Sequence, residues 1–325
     1  MLTPQQLDRA VGSVMASAAG DALGAPYEFR APVLPPAPVT LHAEPPLELG
    51  EWTDDTSMAV PVLQALAHGK RLDDRETLAG LVGEWIGWAR TARDVGAQTR
   101  AVLERIRHVT EDDARAAALA AHEERGRSAG NGSLMRTGPV ALGFLSDDAT
   151  DAVGLAAAAR RVSELTHFEA DAGDACVIWS LAIRTAILTG ELALRAAVDT
   201  LPGGRAAQWH ERLDAAEAVL PWELPGSNRW VVGALQAAWS AIGHGSSLRE
   251  VLELAVRAGN DTDTVGAIAG SLAGALHGES ALPAEWVEAL HGWPGDEFRT
   301  FGAAELRALV REAVAARFAA PQLGE

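Results

Sequence analysis

Ala258-Gly259-Asn260-Asp261-Thr262-Asp263-Thr264-Val265-Gly266 is the stretch around which the rest of the chain is organised. Two aspartates and two threonines alternate here, and a small, apolar, helix-like segment follows as far as Gly278. If that segment is buried, Asp261 and Asp263 cannot both be solvent charges, because buried carboxylates require pairing, hydrogen bonds or a metal. Working outward, Trp52-Thr53-Asp54-Asp55-Thr56-Ser57-Met58 has the same chemistry and also precedes an apolar helical run. The two clusters are expected to meet and share cations. Carboxylate and hydroxyl oxygens are hard ligands, suited to Mg²⁺, Mn²⁺ or Ca²⁺ rather than zinc. Four carboxylates in one place repel strongly. One divalent ion leaves much of that charge uncompensated, and two balance it. The competing reading is that each cluster only caps its own helix, since Asp and Thr are favoured N-cap residues.

The helical frame extends across the whole chain. Thr3-Pro4-Gln5-Gln6 is a helix start, with Thr at the N-cap, Pro in the first turn and Gln three residues on. In the helix it opens, running to about Leu23, Gly12, Ala16 and Gly20 recur every four residues and form one small-residue face that another helix can approach closely. Further helices are expected over 53–68, after a cap at Asp73 or Asp74, and over 98–108, 112–124, 150–165, 169–188, 205–219, 228–242, 248–258, 283–290 and 303–318. Alanine dominates and no run of alternating β-branched residues occurs, so the fold class is all-α, with about a dozen helices. No composition break marks a linker, so residues 1–325 are taken as one domain. The segment 31–50, rich in proline, excludes a regular helix and is a surface loop or a flap over a site flanked by Glu28 and Asp54. The stretch 201–229 is the most plausible insertion.

Composition removes several functions. The 325 residues are 48% hydrophobic, enough for a sizeable core, and 27 Lys and Arg against 44 Asp and Glu leave a net charge of −17. Such a surface does not suit a nucleic-acid backbone, which needs clustered cations. Lys70, the sole lysine, is followed by Arg71 and Leu72, which excludes a Walker A loop. Cys176 is the sole cysteine, so no intramolecular disulfide or thiolate cluster forms, and its apolar surroundings make it a buried thiol. With no spanning-length apolar stretch and no basic-then-apolar N-terminus, a soluble cytoplasmic protein is expected.

Three further stretches carry chemistry. Gly20-Asp21 leads through a Gly/Pro turn to Glu28, where Asp21 caps or ends the first helix and Glu28 is a rim or surface carboxylate. Ser128 to Arg136, with Gly130-Asn131-Gly132-Ser133, is a small-residue loop whose backbone N–H groups suit an anionic phosphate. Arg136 is either a phosphate partner or one half of a salt bridge to a core acid. Thr166-His167 precedes a helix, and His167 is either a structural or a site histidine. No two histidines have zinc-ligand spacing.

Taken together, GDALGAPYEF at 20–29, WTDDTSM at 52–58, GNGSLMR at 130–136, TH at 166–167 and NDTDTVGAIAG at 260–270 resemble the ADP-ribosylglycohydrolase family. The resemblance spans about three quarters of the chain. It implies an all-α orthogonal bundle with two Mg²⁺ or Mn²⁺ ions at its centre. Carried over by position, it implies metal ligation by Thr53, Asp54, Asp55, Asp261, Asp263 and Thr264. The loop residues Ser128, Gly130, Asn131, Gly132, Ser133 and Met135 would hold the diphosphate and nearby ribose, with His167 lining the ADP-ribose pocket. Glu28, Asp54 and Asp55 would be the catalytic carboxylates. The implied substrate is an ADP-ribosylated protein or related conjugate, with ADP-ribose as the product ligand. The linkage, to arginine, serine or another group, stays open. Two other activities suit the same residues: an all-α metal-dependent phosphohydrolase, and a non-catalytic ADP-ribose binder.

Overall fold

The computed structural model describes residues 1–146, 148–295 and 300–319. Its helices in chain order are α1 (Pro4–Gly24), α2 (Asp54–Ala67), α3 (Arg75–Ala89), α4 (Ala97–Leu103), α5 (Glu111–Arg125), α6 (Ala149–Glu164), α7 (Ala170–Thr189), α8 (Leu194–Val198), α9 (Gly203–Glu217), α10 (Val231–His244), α11 (Leu248–Val256), α12 (Thr262–His277), α13 (Ala284–Ala289) and α14 (Ala303–Ala319). Among the described residues no strand forms, and only isolated bridges such as Arg30 with Asn260 and Gly130 with Trp230 occur. The fold is all-α, and one apolar core runs from Ala10 in α1 to Val314 in α14. A small second cluster sits between α4 and α5.

Local signals account for the starts. Gln6 donates its backbone N–H to the Thr3 hydroxyl at 3.2 Å, and Thr3 returns the bond to the Gln6 side chain at 2.9 Å, closing the expected capping box. Asp74, rather than Asp73, caps α3 by accepting from Thr77 N at 2.8 Å. α4 stops at Leu103, short of the expected 108, and α8 went unforeseen. Boundaries of this kind depend on what a short segment packs against more than on its own composition.

The small-residue face of α1 does meet another helix, and that helix is α12. The two run antiparallel with backbones in contact. A Cβ added at Gly20 would overlap the Gly266 carbonyl, one at Gly270 the Ala16 carbonyl, and one at Gly274 the Gly12 carbonyl. Ser13 and Ser17 donate across this seam to the carbonyls of Ser271 and Ala267, at 2.8 and 3.0 Å. At the far end, Thr262 donates to the Gly24 carbonyl at 2.8 Å. The C-terminal end of α1 therefore lies against the N-terminal end of α12, which is where the Asp/Thr clusters are.

α7 corrects one expectation: it is long and apolar enough to cross a membrane by length and composition. Most of it is buried inside this protein. Trp179, fully buried, donates to Ile268 O at 3.1 Å and to the Ser271 hydroxyl at 2.9 Å, so α7 is a core helix packed on α12. Cys176 is buried in it, as expected.

Candidate active site

Neither acidic cluster is a cap. Thr53 precedes α2 and Asp261 precedes α12, and neither side chain accepts a backbone N–H from the first turn of its helix. Their oxygens face each other across the α1–α12 seam. Asp21, in the last turn of α1, joins them there. It neither caps nor ends its helix. Oδ1 accepts the backbone N–H and hydroxyl of Thr53, at 2.9 and 2.8 Å, and Oδ2 accepts the backbone N–H and hydroxyl of Thr56, at 3.0 and 2.7 Å. Four bonds leave this buried carboxylate fully engaged and fix α2 to α1.

Oxygens accumulate around Thr53. Its Oγ1 lies 2.8 Å from Asp21 Oδ1, 3.1 Å from Asp55 Oδ2 and 3.3 Å from Asp263 Oδ2. One hydroxyl hydrogen cannot satisfy three carboxylates. Asp55 Oδ1 is buried and has no hydrogen-bond partner among the described residues. Carboxylate oxygens of Asp21, Asp55 and Asp263 all lie within 4.8 Å of one another, and so do those of Glu28, Asp261 and Asp263. Asp263 belongs to both groups. An orphaned buried oxygen within a set of hard donors fits a hard divalent cation.

The charge repulsion registers in the acidities. Burial, then Asp261, Asp94 and Asp54, push Glu28 up to about 8, against a smaller opposing pull from Arg229. Burial, then Asp94, Asp21 and Asp261, push Asp54 to about 8 as well. Asp55 and Asp263 are raised well above the usual carboxylate range, first by burial and then by the neighbouring carboxylates, and burial raises Asp21 too. Desolvation and like charge act in the same direction here. Of the six expected metal ligands, Asp55, Asp261, Asp263 and Thr53 gather closely, and Thr264 stands beside Asp55. Asp54 lines the adjoining cavity but lies outside both close groups, whereas Asp21 and Glu28 lie inside them.

Backbone pairing delivers Glu28. Phe29 N donates to Asn260 O at 2.5 Å, and Asn260 N donates to Arg30 O at 2.8 Å. Both Phe29 and Asn260 have φ of 58°, in the left-handed region, which is common for Asn and rare for Phe. This short ladder ties the chain after α1 to the chain before α12. No residue of the proline-rich segment that follows lines the cavity shared by Glu28 and Asp54. Arg257 holds its first part by donating to the Val33 and Ala37 carbonyls, at 2.7 and 2.8 Å. Its end, at Leu47 and Glu48, lines a second cavity of about 550 Å³ that shares Asp54 and Asp94 with the first.

The first cavity, of about 910 Å³, opens from the carboxylates. Glu28, Asp54, Asp261 and Asp263 line one end, and Arg125, Arg127 and Arg229 also line it. Arg127 stacks on Trp230 at 4.2 Å and Arg229 on Phe29 at 4.6 Å. Gly130, Asn131, Gly132, Met135 and His167 line the cavity as expected, while Ser128 and Ser133 do not. The N–H of Ser128 donates to Glu169 at 2.5 Å and its hydroxyl pairs with His122 at 2.8 Å. Ser133 accepts from Cys176 Sγ at 3.6 Å. Asn131 spends its side-chain N–H donors on Asp261 Oδ2 and the Asn228 carbonyl, both at 2.9 Å, so it also sets where Asp261 points. Among the described residues Arg136 has no acid partner: fully buried, it stacks on Trp85 at 4.1 Å and donates to Thr166 at 2.7 Å.

Asp21, Arg229, Phe29 and the 94–99 wall of the cavity escaped the sequence. Only Asp21 carried a signal. A carboxylate in the last turn of a helix opposes the helix dipole, so it needs a compensating role.

The family model of ADP-ribosylglycohydrolase matches residues 2–321. ADP-ribosylarginine hydrolase Tri1 of Pseudomonas putida (strain GB-1) is 30% identical over 296 residues, covering 88% of this chain and 76% of its own. ADP-ribosyl-(dinitrogen reductase) glycohydrolase of Rhodospirillum rubrum is 28% identical over 297 residues, covering 89% of this chain and 92% of its own. A solved structure described as an ADP-ribosylglycohydrolase-related protein complex superposes with a TM-score of 0.72 at 29% identity, over 97% of this chain and 100% of that one.

Proposed function

This chain belongs to the ADP-ribosylglycohydrolase family, and we propose that it is a metal-dependent hydrolase that cleaves the glycosidic bond between ADP-ribose and a modified protein residue, releasing ADP-ribose whole. The observation that carries the proposal is the lining of one cavity. Two carboxylate groups share Asp263 at one end, and arginines and aromatic rings occupy the same wall system. An ADP-ribosyl group has matching chemistry: an adenine and a diphosphate for the rings and cations, and a ribose for the oxygen-rich end.

Two Mg²⁺ or Mn²⁺ ions are proposed, for which Thr53, Asp55, Asp261, Asp263 and Thr264 would supply the oxygens, with Asp21 positioning Thr53. Bound there, such ions supply charge compensation, a hold on vicinal ribose hydroxyls and a more acidic water. The chain's own residues do the rest. Gly130 and Gly132 give backbone access to the diphosphate. A carboxylate of the Asp54–Asp55 pair, once its own proton is lost to solvent, would take the proton of the attacking water. Glu28, which lines the cavity, would give a proton to the departing nitrogen or oxygen. The bond from C1″ to the leaving atom breaks through an oxocarbenium-like transition state as the bond from water oxygen to C1″ forms.

The Pseudomonas relative is named for ADP-ribosylarginine and the Rhodospirillum relative for ADP-ribosylated dinitrogen reductase, so an arginine-linked protein is the first substrate to test. Arginine- and serine-linked ADP-ribosyl peptides, incubated with Mg²⁺, Mn²⁺ or chelator, should yield intact ADP-ribose only with metal. Release of AMP or phosphate would assign a phosphohydrolase, and binding without turnover a non-catalytic binder.

A further inference from the structure

We infer that Arg136 and Thr166 form a relay that locks His167 into the tautomer with its proton on Nε2, so that the cavity wall at Gly130 and Gly132 presents a fixed hydrogen-bond donor to a bound phosphate or ribose oxygen. The ligand half of this inference rests on the function proposed above. The tautomer half does not.

Hydrogen counting carries it. Arg136 Nη2 lies 2.7 Å from Thr166 Oγ1, and Thr166 Oγ1 lies 2.7 Å from His167 Nδ1. A guanidinium only donates, so Thr166 Oγ1 must accept from it. The hydroxyl has one hydrogen of its own. Thr166 is fully buried, and among the described residues its hydroxyl has no partner besides Arg136 and His167. If Nδ1 carried the ring proton, the threonine hydrogen would have no acceptor, and an unmet buried donor is costly. The hydroxyl hydrogen therefore goes to Nδ1, which must be bare, and the proton of the neutral ring sits on Nε2. The same atom faces the loop: an added Cβ would come within 3.2 Å of it at Gly130 and 3.3 Å at Gly132.

Arg136 explains why the arrangement is one-directional. Its guanidinium has no carboxylate partner among the described residues: Trp85 stacks against it, the Val162 carbonyl accepts from Nη2 at 3.3 Å, and Met58 Sδ lies 3.9 Å from Nη1. Burial brings it down to about 10, which leaves it charged at neutral pH. Burial first, and this cation second, hold His167 well below its ordinary range, so the imidazole stays neutral. A neutral ring with a bare Nδ1 donates at Nε2 without adding charge to the site.

The tautomer is readable on the free, full-length protein by nitrogen-15 NMR of the imidazole. The expected result is an unprotonated Nδ1 and a protonated Nε2 for His167. A protonated Nδ1, or an imidazolium at neutral pH, overturns the relay. Thr166→Val should mix the tautomers and weaken ADP-ribose binding about 10-fold or more, as loss of a bond to a charged group does. Thr166→Ser keeps the hydroxyl and should restore both, which separates the relay from a folding defect. Thr166→Val that keeps the wild-type tautomer and affinity also overturns it. Wild-type protein that binds no ADP-ribose counts against the proposed function and removes the ligand half, while the tautomer spectrum still decides the relay.

Discussion

The carboxylate of Asp21 accepts both the backbone N–H and the hydroxyl of Thr53 on a single oxygen, at 2.9 and 2.8 Å. Its other oxygen treats Thr56 the same way. By taking the Thr53 hydroxyl hydrogen, Asp21 leaves the lone pairs of that oxygen beside Asp55 and Asp263 while holding α2 onto α1. Asp21→Asn replaces one acceptor oxygen with an amide that must face N–H and O–H donors. Partners of this kind set metal affinity by roughly 10–100-fold. Titration calorimetry with Mn²⁺ should show a loss in that range, with the helical circular dichroism retained. Unchanged affinity would reduce Asp21 to a helix-end residue.

The raised carboxylate pKa values fix a sign for pH dependence. Glu28 and Asp54 hold their protons to about 8 in the folded chain, whereas ordinary unfolded carboxylates release them near 4. Between those limits the folded state binds more protons than the unfolded one, so stability must fall as pH rises. In chelator, the melting temperature is expected to decline from about pH 5 to about pH 8. Mg²⁺ should reverse the decline, and its affinity should increase with pH because protons compete for the same oxygens. Thermal melts across that window, with and without Mg²⁺, check both. A chelated protein whose stability increases through the window contradicts the assignment.

Much of this site could be read from residue types, and the unread part has a common cause. Alternating Asp and Thr before small apolar helices pointed to clustered oxygens, and Gly12, Ala16 and Gly20 pointed to a helix–helix seam. The seam's partner, α12, is what brings the two clusters together. Asp21, Arg229 and Phe29 are common residues whose roles exist only through contacts distant in sequence. Arg136 misled for the same reason: a buried arginine with no acid partner among the described residues has no signature in a linear chain. For the segment 31–50, proline content reports the absence of helix, not the direction a loop takes.

Gly132→Val tests the loop. A Cβ there would meet His167 Cε1 at 3.2 Å and Nε2 at 3.3 Å, tighter than an ordinary contact, and the branched side chain would intrude further into the cavity. The mutation should weaken ADP-ribose binding by about 10-fold or more, the cost of displacing one good hydrogen bond and blocking backbone approach. Mn²⁺ affinity should stay within a few-fold of wild type, since Gly132 contacts neither carboxylate group. Calorimetry with each ligand separates the two. Equal losses would mean that the loop supports the metal centre rather than the diphosphate.

Glu28 is the residue on which two roles converge. Its carboxylate lies within 4.8 Å of those of Asp261 and Asp263, close enough to share a cation, and it lines the cavity, where a leaving group must depart. Its pKa is raised chiefly by burial and then by Asp261, Asp94 and Asp54, so it keeps a proton at neutral pH until cations offset those charges. As general acid it protonates the departing atom, and Glu28→Gln, which retains size but cannot give up a proton in this way, should lower kcat by about 10²-fold or more. Substrate binding and Mn²⁺ affinity should be largely kept. As a cation ligand instead, Glu28→Gln should weaken Mn²⁺ binding, and raising the metal concentration should recover the rate. Glu28→Ala adds the structural control: the Phe29–Asn260 pairing is made by backbone atoms, so that variant should keep its fold while losing activity at least as fully as Glu28→Gln. Measuring kcat at saturating Mn²⁺ for both variants on one arginine-linked peptide decides between the roles, and a fully active Glu28→Gln enzyme would exclude the catalytic one.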